Sequence, residues 1–290
     1  MVVSYSRLRA VSACLILLLT SFLTNSCASF RTQDIPYVAS AAADFDATHQ
    51  QLDVYAPRKK QPAGQPVVVF IHGGNWNSGS KSQYGFIGRE LARQGMVAVI
   101  VDYRLSPAVQ VPAMAADCAR AVQWTVAHIA EYGGDPNRIF LMGHSAGGGL
   151  AALLATDNTL FTQLGLPANP VRGAVLNDPA GLDMYDYLKK MQYPGDRQYL
   201  TSFGKNPEGW RQVSAMHHVT AASPPFLLFV GGQTYPSILH SSEAFRQRLQ
   251  ALGQKPGYTL QPGKNHIPMV LQLFWHNNII YRQLRPFVGL

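Results

Sequence analysis

The 290-residue chain is 47% hydrophobic and 14% charged, with 24 Lys+Arg against 16 Asp+Glu and a net charge of +8. That balance excludes an intrinsically disordered chain, and the length suits one large domain, or two small ones, with a full core. The basic residues are scattered, with short runs only around Lys59-Lys60 and at Lys189-Lys190, so they form no cluster of the nucleic-acid-binding kind; the surplus suits contact with an anionic surface.

Arg7 and Arg9 precede an apolar run, Ala10–Leu23. A basic start followed by such a run predicts a signal peptide over residues 1–26, because a membrane span needs about 20 apolar residues. The chain is therefore expected to be exported. Leu23-Thr-Asn-Ser26-Cys27 resembles a bacterial lipoprotein box, with Thr24 in place of the usual leucine, so Cys27 is the expected lipidation site. Ser26-Cys27-Ala28 also fits an ordinary small-residue cleavage site. The expectation is an envelope lipoprotein, otherwise a periplasmic or secreted protein, touching membrane only through that anchor. The three cysteines, Cys14, Cys27 and Cys118, show no CxxC or Cys/His spacing, which argues against zinc and against a disulfide framework.

Residues 27–34 read as a linker, and 35–290 as one domain. Strand-like runs fall at Gln51–Tyr55, Val67–Ile71, Met96–Val101, Ile139–Met142, Val171–Leu176, Phe226–Val230 and Tyr258–Gln261. Helical patterns fall at Ser82–Gln94, Ala113–Tyr132, Ala146–Ala155, Ser241–Leu252 and Pro268–Leu284. This alternation predicts an α/β fold: a mostly parallel, doubly wound sheet with helices on both faces. Such sheets carry their sites just beyond the carboxyl ends of the strands. Residues 183–223 break the rhythm with many tyrosines and methionines, and read as a small cap inserted between strands.

Three strand ends carry chemistry. His72-Gly73-Gly74-Asn75-Trp76 follows the run Val67–Ile71, and its glycines can aim backbone N–H groups at one point. Acyl transfer needs such donors for its oxyanion, here expected from the amides of Gly73, Gly74 and Ala146. His72 is expected to support that loop. Gly143-His144-Ser145-Ala146-Gly147 follows Ile139–Met142 and opens a helix, the setting of a nucleophile elbow. A serine hydroxyl needs a base, and His266 follows the last strand, 121 residues after Ser145. No metal or organic cofactor is implied.

With these residues the chain resembles the α/β-hydrolases of the carboxylesterase and lipase kind. It is most similar to the branch with an HGGxW oxyanion loop, which includes feruloyl and acetylxylan esterase-like enzymes, hormone-sensitive-lipase-like esterases and kynurenine formamidases. Leu52-Asp-Val-Tyr-Ala-Pro57, Asp102-Tyr-Arg-Leu-Ser-Pro107 and Tyr132-Gly-Gly-Asp-Pro136 add to the likeness, which covers about residues 35–285. It implies an acid after strand seven, yet Val230-Gly-Gly-Gln-Thr-Tyr-Pro-Ser237 holds none. Asp178, straight after Val171–Leu176 in Asn177-Asp178-Pro179-Ala180, is the first choice, and pancreatic lipases place their acid in a similar setting. Asp183 is the second, with a helix cap as its alternative role.

The expected activity is a serine hydrolase acting on a small-molecule carboxylic ester through an acyl-enzyme. The same residues would serve an amidase such as an arylformamidase. A catalytically weak, surface-binding lipoprotein is the reading from another class.

Overall fold

The computed structural model describes residues 29–59 and 61–290. The expected signal segment and Cys27 lie outside these residues. Eight strands form one sheet: β1 (Ser29–Pro36), β2 (Gln51–Pro57), β3 (Gln65–Ile71), β4 (Val97–Val101), β5 (Gly134–His144), β6 (Val171–Asn177), β7 (Phe226–Gly231) and β8 (Gly257–Gln261), in the order β1-β2-β4-β3-β5-β6-β7-β8. Strands β3 to β8 run parallel; β2 pairs antiparallel with β4, and β1 antiparallel with β2. The sheet is thus the mostly parallel one expected from the alternation of elements.

Val67–Ile71 and Val97–Val101 are buried along their whole length, which explains why they read as unbroken apolar runs rather than alternating ones. One face packs on α2 (Val111–His128) and α3 (Ala146–Thr156), the other on α1 (Gly85–Arg93) and α10 (Ile279–Phe287), with two hydrophobic clusters between. Between them come the short helix α4 (Thr159–Thr162) and, from β6 to β7, three more short helices: α5 (Met184–Lys190), α6 (Tyr199–Phe203) and α7 (Pro207–Gln212). The edge of Trp76 meets Phe203 and Tyr199 at 4.8 and 5.8 Å between ring centres, tying this segment to the loop after β3. Next come α8 (Pro236–Ala251), before β8, and α9 (His266–Leu271), after it.

Two expectations are corrected. Of the expected linker 27–34, residues 29–34 instead belong to β1, paired with β2. The side chains of β1 are largely exposed at the sheet edge, so polar residues suffice there and no apolar pattern marks the strand. The expected helix Pro268–Leu284 is broken. Asn278 starts a new helix by accepting the Tyr281 N–H at 3.0 Å, a cap that satisfies one free donor.

An ionic cluster fastens β1. Asp53, fully buried on β2, accepts from Arg31 at 2.7 Å, from the Asp34 amide at 3.0 Å and from Lys81 at 2.9 Å, while Lys81 also meets Asp34. Burial pushes the Asp53 carboxyl up, but the hydrogen bonds from Arg31 and Lys81 outweigh it and hold it below the ordinary 3.8. A depressed carboxyl stabilises the fold above its unfolded pKa and loses that contribution as pH falls through the folded value. Asp53→Asn is therefore expected to lower thermal stability at pH 7 by about 1–3 kcal/mol, because it takes the buried charge away from Lys81, which keeps only the exposed Asp34, and from Arg31. The loss should shrink as pH falls below the ordinary 3.8, where the unfolded carboxyl takes up protons, and through the lower folded value. An unchanged melting temperature at pH 7 would contradict this role.

Candidate active site

Ser145 sits between the end of β5 and the start of α3 with φ 56° and ψ −126°, a conformation that side chains rarely adopt. Such strain costs roughly 1–3 kcal/mol and must be held by its surroundings. Here the Ser145 amide donates to the Asn177 carbonyl at 3.2 Å, and the Ser145 carbonyl accepts from Ala180 at 2.9 Å. The turn is also sterically closed. A Cβ at Gly147 would lie 2.1 Å from the Ile71 carbonyl oxygen, so only glycine lets α3 pass the end of β3. The hydroxyl thus stands at a helix N-terminus, where developing negative charge is favoured.

The structure brings Ser145, His266 and Asp178 together. His266 Nε2 lies 2.8 Å from Ser145 Oγ, and His266 Nδ1 lies 2.6 Å from Asp178 Oδ2. A carboxylate can only accept, so Nδ1 carries the hydrogen and Nε2 is left to take the serine proton. Asp178 is fully buried, with φ 51°, and its amide donates to the Phe229 carbonyl at 2.7 Å. The Gly231 amide donates to its Oδ1 at 2.8 Å, and the Thr234 hydroxyl donates to its Oδ2. The loop after β7, which lacks an acid, therefore supplies donors to an acid carried by the neighbouring strand. Hydrogen bonds to a charged group are worth roughly 1.5–3 kcal/mol each, enough to keep this carboxylate in place without water.

Asp183 does not reach His266. It caps α5 by accepting the Asp186 N–H at 3.0 Å, and it lies 3.3 Å from His217 Nε2. Glu243 instead holds Arg246 at 2.9 Å.

His144, buried behind the serine, donates from Nε2 to the His266 carbonyl at 3.2 Å, and the two rings lie 4.6 Å apart. Burial, then the neighbouring His266, lowers its pKa to about 3, so it stays a neutral imidazole. The Asn177 side chain donates to the Met269 carbonyl at 2.8 Å, pinning the helix that begins at His266. Thr234, Gly231, His144 and Asn177 went unread in the sequence, since each acts through a contact between distant segments.

Of the two loop glycines expected to donate to an oxyanion, Gly74 lines the cavity and Gly73 does not. Gly74, with φ 130°, and Asn75, with φ 58°, line the cavity in front of Ser145. Gly73 lies buried beneath them against the elbow, where a Cβ would meet the His144 carbonyl at 2.9 Å. Its amide is beside the Tyr84 hydroxyl, whose pKa burial raises and that amide lowers. The Ala146 amide opens α3 beside the serine. His72 supports the loop: Nδ1 donates to the Gly73 carbonyl at 2.8 Å, and its own carbonyl accepts the Tyr103 hydroxyl at 3.0 Å. The cavity encloses about 570 Å³ and is walled on the far side by Tyr187, Tyr193 and Tyr199 from the segment between β6 and β7.

The chain is similar to several known proteins. A probable isoprenylcysteine alpha-carbonyl methylesterase of Arabidopsis thaliana is 31% identical over 82% of this chain, which spans only 52% of that relative's length. Kynurenine formamidase of Danio rerio is 26% identical over 88% of this chain and 81% of its own. A truncated carbohydrate esterase from gut microbiota superposes with a TM-score of 0.76 at 20% identity, over 90% of this chain and 96% of that one, and shares the α/β-hydrolase fold. The BD-FAE family profile matches residues 52–249, more than half of the chain, and the protein belongs to that family.

Proposed function

We propose that the protein is a serine carboxylester hydrolase working through an acyl-enzyme. The observation that carries this is the continuous line of hydrogen bonds from Ser145 through His266 to Asp178, at 2.8 and 2.6 Å. His266 Nε2 takes the proton as Ser145 Oγ bonds to the ester carbon. The imidazolium so formed is stabilised by Asp178, which stays ionised. In this reading the oxyanion is received by the Ala146 amide and by amides of the loop after β3, with Gly74 and Asn75 supported by their place in the cavity lining, and losing one such donor costs roughly 10²–10³ in rate. His266 then returns its proton to the leaving alcohol, and a water activated by the same imidazole frees the acid.

The formamidase likeness favours one second reading, cleavage of an amide by the same groups. A surface-binding protein with an idle site is the reading that a missing acid after strand seven would favour, and the Asp178–His266 contact speaks for the enzyme instead. We also propose that the protein is exported, with Cys27 lipidated. A mature N-terminus at Ser29 would contradict lipidation.

A fluorophosphonate probe and p-nitrophenyl acetate test the chemistry together. Wild-type protein should be labelled once and should hydrolyse the ester; Ser145→Ala should lose the label and nearly all turnover. Turnover that survives in Ser145→Ala would overturn the serine mechanism. A kcat/KM for N-formylkynurenine above that for all esters tried would favour the amide reading.

A further inference from the structure

The protein carries a net +8, but the cavity in front of Ser145 has the opposite local character. Among the described residues no lysine or arginine lines it, and apart from the histidines its one titratable charge is Asp196. This aspartate is 4% exposed, in the short turn Asp196–Gln198 between α5 and α6. Among the described residues its carboxylate is held only by neutral donors, the Tyr187 hydroxyl at 2.5 Å and the Tyr193 amide at 2.8 Å. Burial, then the bond to Asp196, drives the Tyr187 phenol far above its ordinary range, so that hydroxyl remains a donor. A carboxylate has about four acceptor positions, and two are filled here. A buried charge without a counter-charge acts strongly on any charged group brought near it, because little water intervenes.

A second, smaller cavity adjoins this one and sets which part of the substrate meets Asp196. It encloses about 40 Å³ and is walled by Trp76, Leu182, Met184 and Ile238. It also touches Ala180, whose amide is bonded to the Ser145 carbonyl. Asp183, Ser237 and Ser241 also border it, but its size and mainly apolar walls suit a short acyl chain. The larger space, whose walls mix aromatic, apolar and polar groups, is left for the alcohol.

We infer that Asp196 is a specificity-determining residue: it makes the cavity select esters by the charge of their alcohol, favouring a cationic group and rejecting an anionic one. This rests on the esterase reading above. The tyrosines strengthen the selection, since aromatic faces attract an ammonium group and not a carboxylate. The long-range field of a +8 protein would draw anions, so a preference for cations would report the cavity wall itself.

Acetyl esters of three alcohols with the same two-carbon arm test this: choline, the neutral 3,3-dimethylbutanol, and 3-hydroxypropanoate. Wild-type kcat/KM should fall in that order, by about tenfold per step. Asp196→Asn should bring the three within a few fold of one another while the neutral ester keeps most of its rate. Asp196→Glu, which keeps the charge, should retain the order. An equal loss on all three esters in Asp196→Asn would show that the residue only ties the cap segment together, and would overturn the inference. Wild-type turnover without a charge order would overturn it alone, even if Asp196→Asn does not fold. No turnover of any of the three by protein that hydrolyses p-nitrophenyl acetate would overturn this inference alone, and no turnover of p-nitrophenyl acetate either would overturn the esterase reading and this inference with it.

Discussion

The hydrogen bond from His266 to Asp178 is the constraint on which the rest of the site depends. An imidazolium formed in a closed cavity is costly without a counter-charge, and the loop after β7 offers no acid. The carboxylate therefore has to come from a neighbouring strand end. That strand is β6, paired in register with β5, which carries the serine, and with β7, which carries the donors. Asp178 can then be gripped from both sides: by the backbone of β7 at Phe229 and Gly231, and by the Thr234 hydroxyl.

Strain collects where this grip is exerted. Among the described residues six non-glycine positions have positive φ, and four of them, Asn75, Trp76, Ser145 and Asp178, are in the oxyanion loop, the elbow or the acid's turn. Each costs roughly 1–3 kcal/mol in isolation, and the fully buried sheet centre is what holds them. The fold and the chemistry are coupled in this sense: buried β-strands provide a rigid floor, and conformations that would relax on a flexible loop persist on it.

Much of this was legible in the sequence, for physical reasons that also explain what was not. Ser145 and His266 could be read because catalytic groups follow strand ends, and because Gly143 and Gly147 mark a turn no other residue could make. Asp178 could be read because only one carboxylate directly follows a strand next to the elbow. Donors that serve it could not: Thr234 looks like any loop threonine until β7 and β6 are seen side by side. That Asn75 and not Gly73 lines the cavity could not be read either, because both lie in one short loop and only its folded path decides which residue reaches the surface. The strand β1 was missed since an exposed edge imposes no apolar pattern, and its polar residues are tied down by Asp53, 19 to 22 positions away.

The most direct test of the account compares Asp178→Asn with Asp183→Asn in steady-state ester hydrolysis. Asp178→Asn keeps the shape but removes the charge that holds the His266 tautomer and steadies its imidazolium, so kcat should fall on the order of 10⁴. Asp183→Asn should leave kcat nearly unchanged, with a stability cost of about 1 kcal/mol or less from the weakened helix cap. A kcat for Asp178→Asn within tenfold of wild type, or a larger loss at Asp183, would contradict the assignment of Asp178 as the acid.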